Sequence, residues 1–218
     1  KTQKYVDYHQ YVCDLTAARI SNLARIIKER TENRAIVISF YGYQFELYSS
    51  LSGHHNLNWL LSDKNIDGFA GPISYRDRNG SSYAPNSPVG ATGAYMSTVD
   101  SIQRNGKIWF QESDERTFIN HTDEPYEDTF LTPIRSLSDV IEVHKRELGD
   151  TIIHGNGLWA MDLWARGWLD APAIWENLGK LSNLYQAYQN GYGQASRFDV
   201  ALVVDEYSLH RMANQGPV

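Results

Sequence analysis

Cysteine is nearly missing from this chain. Cys13 is the only one in 218 residues, so no intrachain disulfide can form and a cysteine-based zinc site is not expected. Long apolar runs are missing too. No stretch of 18 apolar residues occurs, so nothing in the sequence reads as a membrane span. Basic runs are short and the net charge is −6, which argues against a phosphate-backbone footprint and hence against nucleic acid as a partner. The sequence contains no Gly-x-Ser-x-Gly elbow, no P-loop and no dinucleotide fingerprint. Seven histidines are present, but none falls at His-Glu-x-x-His spacing, and the adjacent His54 and His55 point different ways in any regular element. No metal and no cofactor are therefore expected. The opening Lys1-Thr2-Gln3-Lys4 is neither a signal peptide nor a start methionine, so the chain is expected to be trimmed from something longer. Nothing in the sequence assigns a compartment.

Aromatic residues stand out against these absences, with 6 Trp and 14 Tyr. Two readings compete. Flat rings fill a core, or they stack on the apolar faces of sugars while their polar tips bond hydroxyls. Periodicity alternates along the chain. Val12, Leu15, Ala18, Leu23 and Ile26 sit roughly at helical spacing, and Ile27 widens the stripe. The run 35–40 is continuously apolar, as a strand covered on both faces must be. Further strands are predicted near 66–70, at 107–110, from 151 toward 160, and at 200–204. Helices are predicted between them, and Ser136 with Asp139 resembles a capping box. Strand and helix in alternation imply right-handed crossovers and a parallel sheet. The longest loops, 76–93 and 114–132, follow strands, as they do on the C-terminal face of a (β/α)8 TIM barrel. A full barrel needs about 250 residues and eight units. This chain has about half of them, so the expected fold is α/β: half a barrel, with parallel strands and flanking helices.

Polar and aromatic residues collect at four strand ends. Tyr43 follows the first, Tyr75 the second and Glu112 the third, while Trp159 and Asp162 close the fourth. The third is the most informative, because an apolar strand runs directly into Glu112, Asp114, Glu115 and Arg116. On a solvated loop that is a charged turn. At the end of a packed strand it suits a carboxylate held ionised by a neighbouring arginine, as a nucleophile requires. Tyr75 either donates a phenol hydrogen bond to such a carboxylate or is an ordinary loop tyrosine. Trp159 either floors a sugar subsite or fills the core. Asp162 either binds sugar hydroxyls or pairs with Arg166 one helical turn on.

The run Lys107-Ile-Trp-Phe-Gln-Glu112-Ser resembles the seventh strand of family-42 glycoside hydrolases, the β-galactosidase-type barrels of the large retaining clan. Asp114, Arg116 and Thr117 resemble a variant motif from a divergent bacterial branch of it. The resemblance implies the C-terminal half of the barrel, strands five to eight, over residues 1–195. Residues 196–218 would be a linker and the first strand of a following α/β domain. It implies Glu112 as the catalytic nucleophile, with Tyr43, Tyr75, Asp114, Arg116, Trp159 and Asp162 binding a carbohydrate, plausibly a β-galactoside. The clan's general acid/base is a Glu after an Asn at the end of strand four, and no matching Asn-Glu pair occurs here. Retaining hydrolysis needs two carboxyl groups about 5–5.5 Å apart. The missing N-terminal half of the barrel is thus an implied partner, and the chain by itself is expected to be inactive. Two other functions stay open: a non-catalytic carbohydrate-binding module, and an interaction domain whose half-barrel edge pairs with another chain, including a second copy as a homo-oligomer.

Overall fold

The computed structural model describes residues 2–45, 47, 50–74, 95–119, 134, 136–162, 165–189 and 199–211. Tyr75 and the whole loop 76–93 lie outside that set, as do residues 120–132. Helix α1 spans Gln3–Arg30 and buries Val6, His9, Cys13, Ala17, Ala24 and Lys28. These fall three, four or seven residues apart, so they form one face. It is not the face that hydropathy suggests. Leu15, Leu23, Ile26 and Ile27 are exposed. The helix turns its small and polar side inward: Ala17 and Ala24 join the core, and Lys28 finds charged and carbonyl partners that allow its burial.

Four strands follow, β1 (Ile38–Phe40), β2 (Gly68–Pro72), β3 (Ile108–Ser113) and β4 (Gly157–Ala160). They make one sheet in the order β1-β2-β3-β4, with β1 and β2 parallel and Ile38 opposite Gly68. Helices α2 (Leu57–Leu61), α3 (Val99–Arg104) and α4 (Leu137–His154) occupy the three crossovers. Helix α5 (Pro172–Gln189) follows β4, and a last turn, α6, covers Glu206–Leu209. The α/β class, the parallel sheet and its sequential order agree with the alternation read from the sequence. Gly68 is required where β2 meets β3, because a Cβ there would lie 2.5 Å from the Ile108 carbonyl oxygen.

Three boundaries differ from the sequence reading. The first ladder begins only at Ile38, three residues into the apolar run. Thr151–His154, read as the entry to the fourth strand, is the last turn of α4, which Gly155 ends in a left-handed conformation (φ 66°). The β-branched residues there pack as helix because Thr151 bonds back to the Glu147 carbonyl at 2.7 Å. Residues 200–204, read as a fifth strand, form no ladder among the described residues, and Val200, Leu202 and Val203 are exposed. The capping box is closed in modified form. Ser136 Oγ accepts the Asp139 N–H at 3.1 Å and donates to the Asp139 carboxylate at 2.7 Å.

The chain divides into two units. The first comprises Lys1–Gly71, Tyr95–Phe110 and Val200–Val218, and the second Pro72–Ala94 and Gln111–Asp199. The core of the first gathers Ala17, Tyr41, Leu57, Leu60, Phe69, Ile102 and Trp109. The core of the second packs Ile134, Val140, Val143, Leu169 and Ile174 between α4 and α5.

Candidate functional site

Glu112 is the fifth residue of β3 rather than a residue after it, and strand geometry fixes its direction. The run that begins there stays inside. Glu112, Asp114, Glu115 and Arg116 are exposed by 6%, 1%, 8% and 7%. Charged residues are almost never this buried unless paired, and four in five consecutive positions cannot be a solvated turn. Several contacts hold the run in place. The Arg116 guanidinium sits 5.1 Å from the centroid of the buried Trp168 ring, and the Thr117 hydroxyl donates to the Trp168 carbonyl. The Arg116 carbonyl in turn accepts the Ile134 N–H at 2.8 Å. Of the predicted carbohydrate ligands, Asp114 and Arg116 thus lie in the same buried stretch as Glu112.

Asp162 lies just past the end of β4. Its carboxylate accepts the backbone N–H groups of Arg166 (2.9 Å) and Gly167 (2.8 Å), and so shapes the turn that leaves β4. Trp159 is half-buried and lines a cavity of about 150 Å³ together with Ser113, His144, Glu147, Leu178 and Tyr185. Glu112 is not among its lining residues. Within this cavity His144 is 3% exposed, and burial alone lowers its pKa to about 4. Its Nδ1 and the Ser113 hydroxyl have no hydrogen-bond partner among the described residues.

Tyr43 belongs to the first unit. Its ring stacks on His54 with centroids 4.7 Å apart, and Tyr41 stacks on the same imidazole at 5.1 Å. Burial, followed by the nearby His55, lowers the His54 pKa to about 4. Gly71 leaves room for Tyr43, because a Cβ there would meet the Tyr43 ring at 2.8 Å and the Trp109 ring at 2.9 Å.

The same unit holds a group that the sequence reading did not find. Cys13 from α1, His55 from the loop before α2 and His210 after α6 bring one ligand-type atom each to within 4.8 Å of one another. All three are buried, at 0%, 1% and 3% exposure. Burial pushes the Cys13 thiol up to about 11, against the opposing effect of a hydrogen bond from the His55 backbone N–H. Burial also lowers the His55 pKa, opposed by the bond that His55 Nε2 makes to the Leu47 carbonyl at 2.7 Å. A carbonyl only accepts, so Nε2 carries the proton and Nδ1 keeps its lone pair. Beside the group lies a cavity of about 380 Å³, lined by His55, His210, Asp14, Gln44, Asn56 and Glu206 among others. Glu206 organises this corner. Its carboxylate accepts from the Gln44 amide, from Leu57 N–H at 2.7 Å and from Asn58 N–H at 2.9 Å, capping α2 from a residue far along the chain. Histidine spacing gave no hint of the group. Its members lie 42 and 155 residues apart in the sequence, so no local pattern joins them.

Comparison of the chain with family models, with curated proteins and with solved structures returns no match.

Proposed function

We propose that the chain is the nucleophile-bearing half of a retaining glycoside hydrolase acting on β-glycosidic bonds, plausibly β-galactosides, with Glu112 as the nucleophile. One observation carries the reading: a strand of a parallel sheet ends in Glu112, Asp114, Glu115 and Arg116, all buried. Concentrated buried charge is costly and persists where chemistry needs it. Glu112 would attack the anomeric carbon, forming a glycosyl ester as the glycosidic bond breaks. Arg116 would favour its ionised form, and Asp114 and Arg116 would bind the sugar. The second carboxyl group, the acid/base, would come from the other half of the barrel. The edge of the sheet is consistent with such a half. Strand β1 lies at the end of the strand order and pairs with β2 on one side, and Ile38 and Phe40 on one of its faces are exposed.

An activated sugar tests the nucleophile without the missing acid. A dinitrophenyl group leaves as a stable phenolate and needs no proton, so a dinitrophenyl fluoro-β-galactoside requires only a nucleophile and a sugar site. Incubated with the chain, it should leave one sugar on the peptide containing Glu112. In Glu112→Gln the labelling rate should fall by at least about 10³-fold. A label on Asp114 or Glu115 would move the nucleophile and spare the glycosidase reading. No label together with no sugar binding would overturn it. Sugar binding without a label would favour a carbohydrate-binding module instead.

A further inference from the structure

We propose a second site, independent of the sugar chemistry: Cys13, His55 and His210 bind a borderline-soft divalent metal ion of the Zn²⁺ class. One thiol and two imidazoles are the donor set that such ions select over hard oxygen sites. The donors come from three separate segments, which a chance pair of neighbours on one helix would not. In a tetrahedral Zn²⁺ sphere, S and N donors stand roughly 3.3–3.8 Å apart. The three atoms here fall within 4.8 Å, so they must draw in by about 1.5 Å at most, a change that side-chain rotation supplies.

One donor has the partner that a ligand would need, and the segments around the others are tied in place. His55 gives its Nε2 proton to the Leu47 carbonyl, the outer-sphere bond that fixes the tautomer of metal-binding histidines. The loop bearing His55 is tied to α1 by Asn56 Nδ2 donating to Asp14 at 2.8 Å. Glu206, four residues before His210, anchors that segment to the N-terminus of α2. Three protein donors leave a fourth position, and the cavity of about 380 Å³ that both histidines line is where a water would enter to fill it. His9 lies one turn before Cys13, buried, and acts electrostatically on His55, but it is not part of the 4.8 Å group. On binding, the sulfur–hydrogen bond of Cys13 is replaced by a sulfur–metal bond, and one proton is released to solvent.

The alternative is a set of polar side chains that merely bond one another inside the fold. Cobalt separates the two. The untagged 218-residue chain, stripped with chelator, is titrated with Co²⁺. One equivalent should raise a thiolate-to-cobalt charge-transfer band in the near ultraviolet together with visible bands of tetrahedral intensity, and Zn²⁺ should displace both. Cys13→Ser should lose the charge-transfer band, and His210→Ala should weaken binding by at least about 100-fold. Circular dichroism checks that both variants fold. Should they fail to fold, the wild-type chain still decides: Zn²⁺ should protect Cys13 from alkylation in the native state. No charge-transfer band and no protection would overturn the site, as would Co²⁺ binding of equal strength in folded Cys13→Ser and His210→Ala.

Discussion

In the second unit, most of the buried charge comes from one short stretch of chain, with Glu147 on α4 apart from it: Glu112, Asp114, Glu115 and Arg116 enter together at the end of β3. In the first unit, buried polar groups come from far apart. Cys13 meets His55 and His210, Lys28 meets Asp67, and Glu206 receives the N–H groups of Leu57 and Asn58. A local run can be recognised by composition before any fold is known. A group assembled across the chain exists only once the fold exists.

The closest packing in the first unit gives the largest expected effect. Gly68→Ala would drive a Cβ into the Ile108 carbonyl, and backbone cannot swing aside as a flexible side chain can. The cost should reach about 3 kcal/mol, the upper end for overpacking in a core. Chemical denaturation measures it. In the second unit, Gly149→Ala on α4 meets nothing within 4 Å and serves as the control. Equal effects at the two glycines would remove the claim that β2 and β3 approach unusually closely.

This contrast also explains what the sequence made legible. Alternating apolar runs and amphipathic stretches were enough for the α/β class, the parallel sheet and its order, because each element's period is local. The charged run after Phe110 was visible for the same reason. The buried face of α1 was not, since hydropathy favours Leu15, Leu23 and Ile26 over His9, Cys13 and Lys28. Only the partners of those polar residues, Asp67, His55 and His210 among them, make their burial tolerable, and no window of sequence contains both sides. The end of α4 was misread because Thr151, Ile152 and Ile153 are β-branched, a local preference that packing overrides.

A smaller effect concerns histidine titration. Each unit holds one imidazole whose pKa is lowered to about 4, His144 by burial alone and His54 by burial with His55 nearby. An unfolded histidine titrates near 6.5. Above that pH both states are neutral and the groups contribute no slope. As pH falls from about 6.5 toward 4, the unfolded state takes up protons that the folded state refuses, so stability falls by up to about 1.4 kcal/mol per pH unit per group. His144→Gln should flatten the second unit's share of that slope and leave the share of His54. An unchanged slope in denaturation from pH 7 to pH 4.5 would show that His144 is not held neutral.

The smallest expected effect lies at Asp67, where stability again falls as pH falls but in a lower pH window than at the histidines. Its carboxylate accepts from Lys28 Nζ at 2.6 Å and from the Val37 N–H at 2.6 Å. Burial raises its pKa, but the hydrogen bonds from Lys28 and Val37, with the charges of Lys28 and Lys107, outweigh it and leave the pKa below its ordinary value. A carboxylate with a depressed folded pKa stabilises the fold above its unfolded value of about 3.9, and that contribution fades as pH falls through the folded value. The Asp67 side chain is about a third exposed, so solvent screens the pair and the contribution is modest. Asp67→Asn keeps the shape and one acceptor oxygen and removes only the charge. It should cost about 1 kcal/mol at pH 7 and less in high salt. As pH falls below the ordinary carboxylate range wild type and variant should draw together, since protonation of Asp67 leaves both side chains uncharged. A cost that persists undiminished below that range would show that Asp67 acts through shape and not through charge, and the first unit would then hold Lys28 by geometry alone.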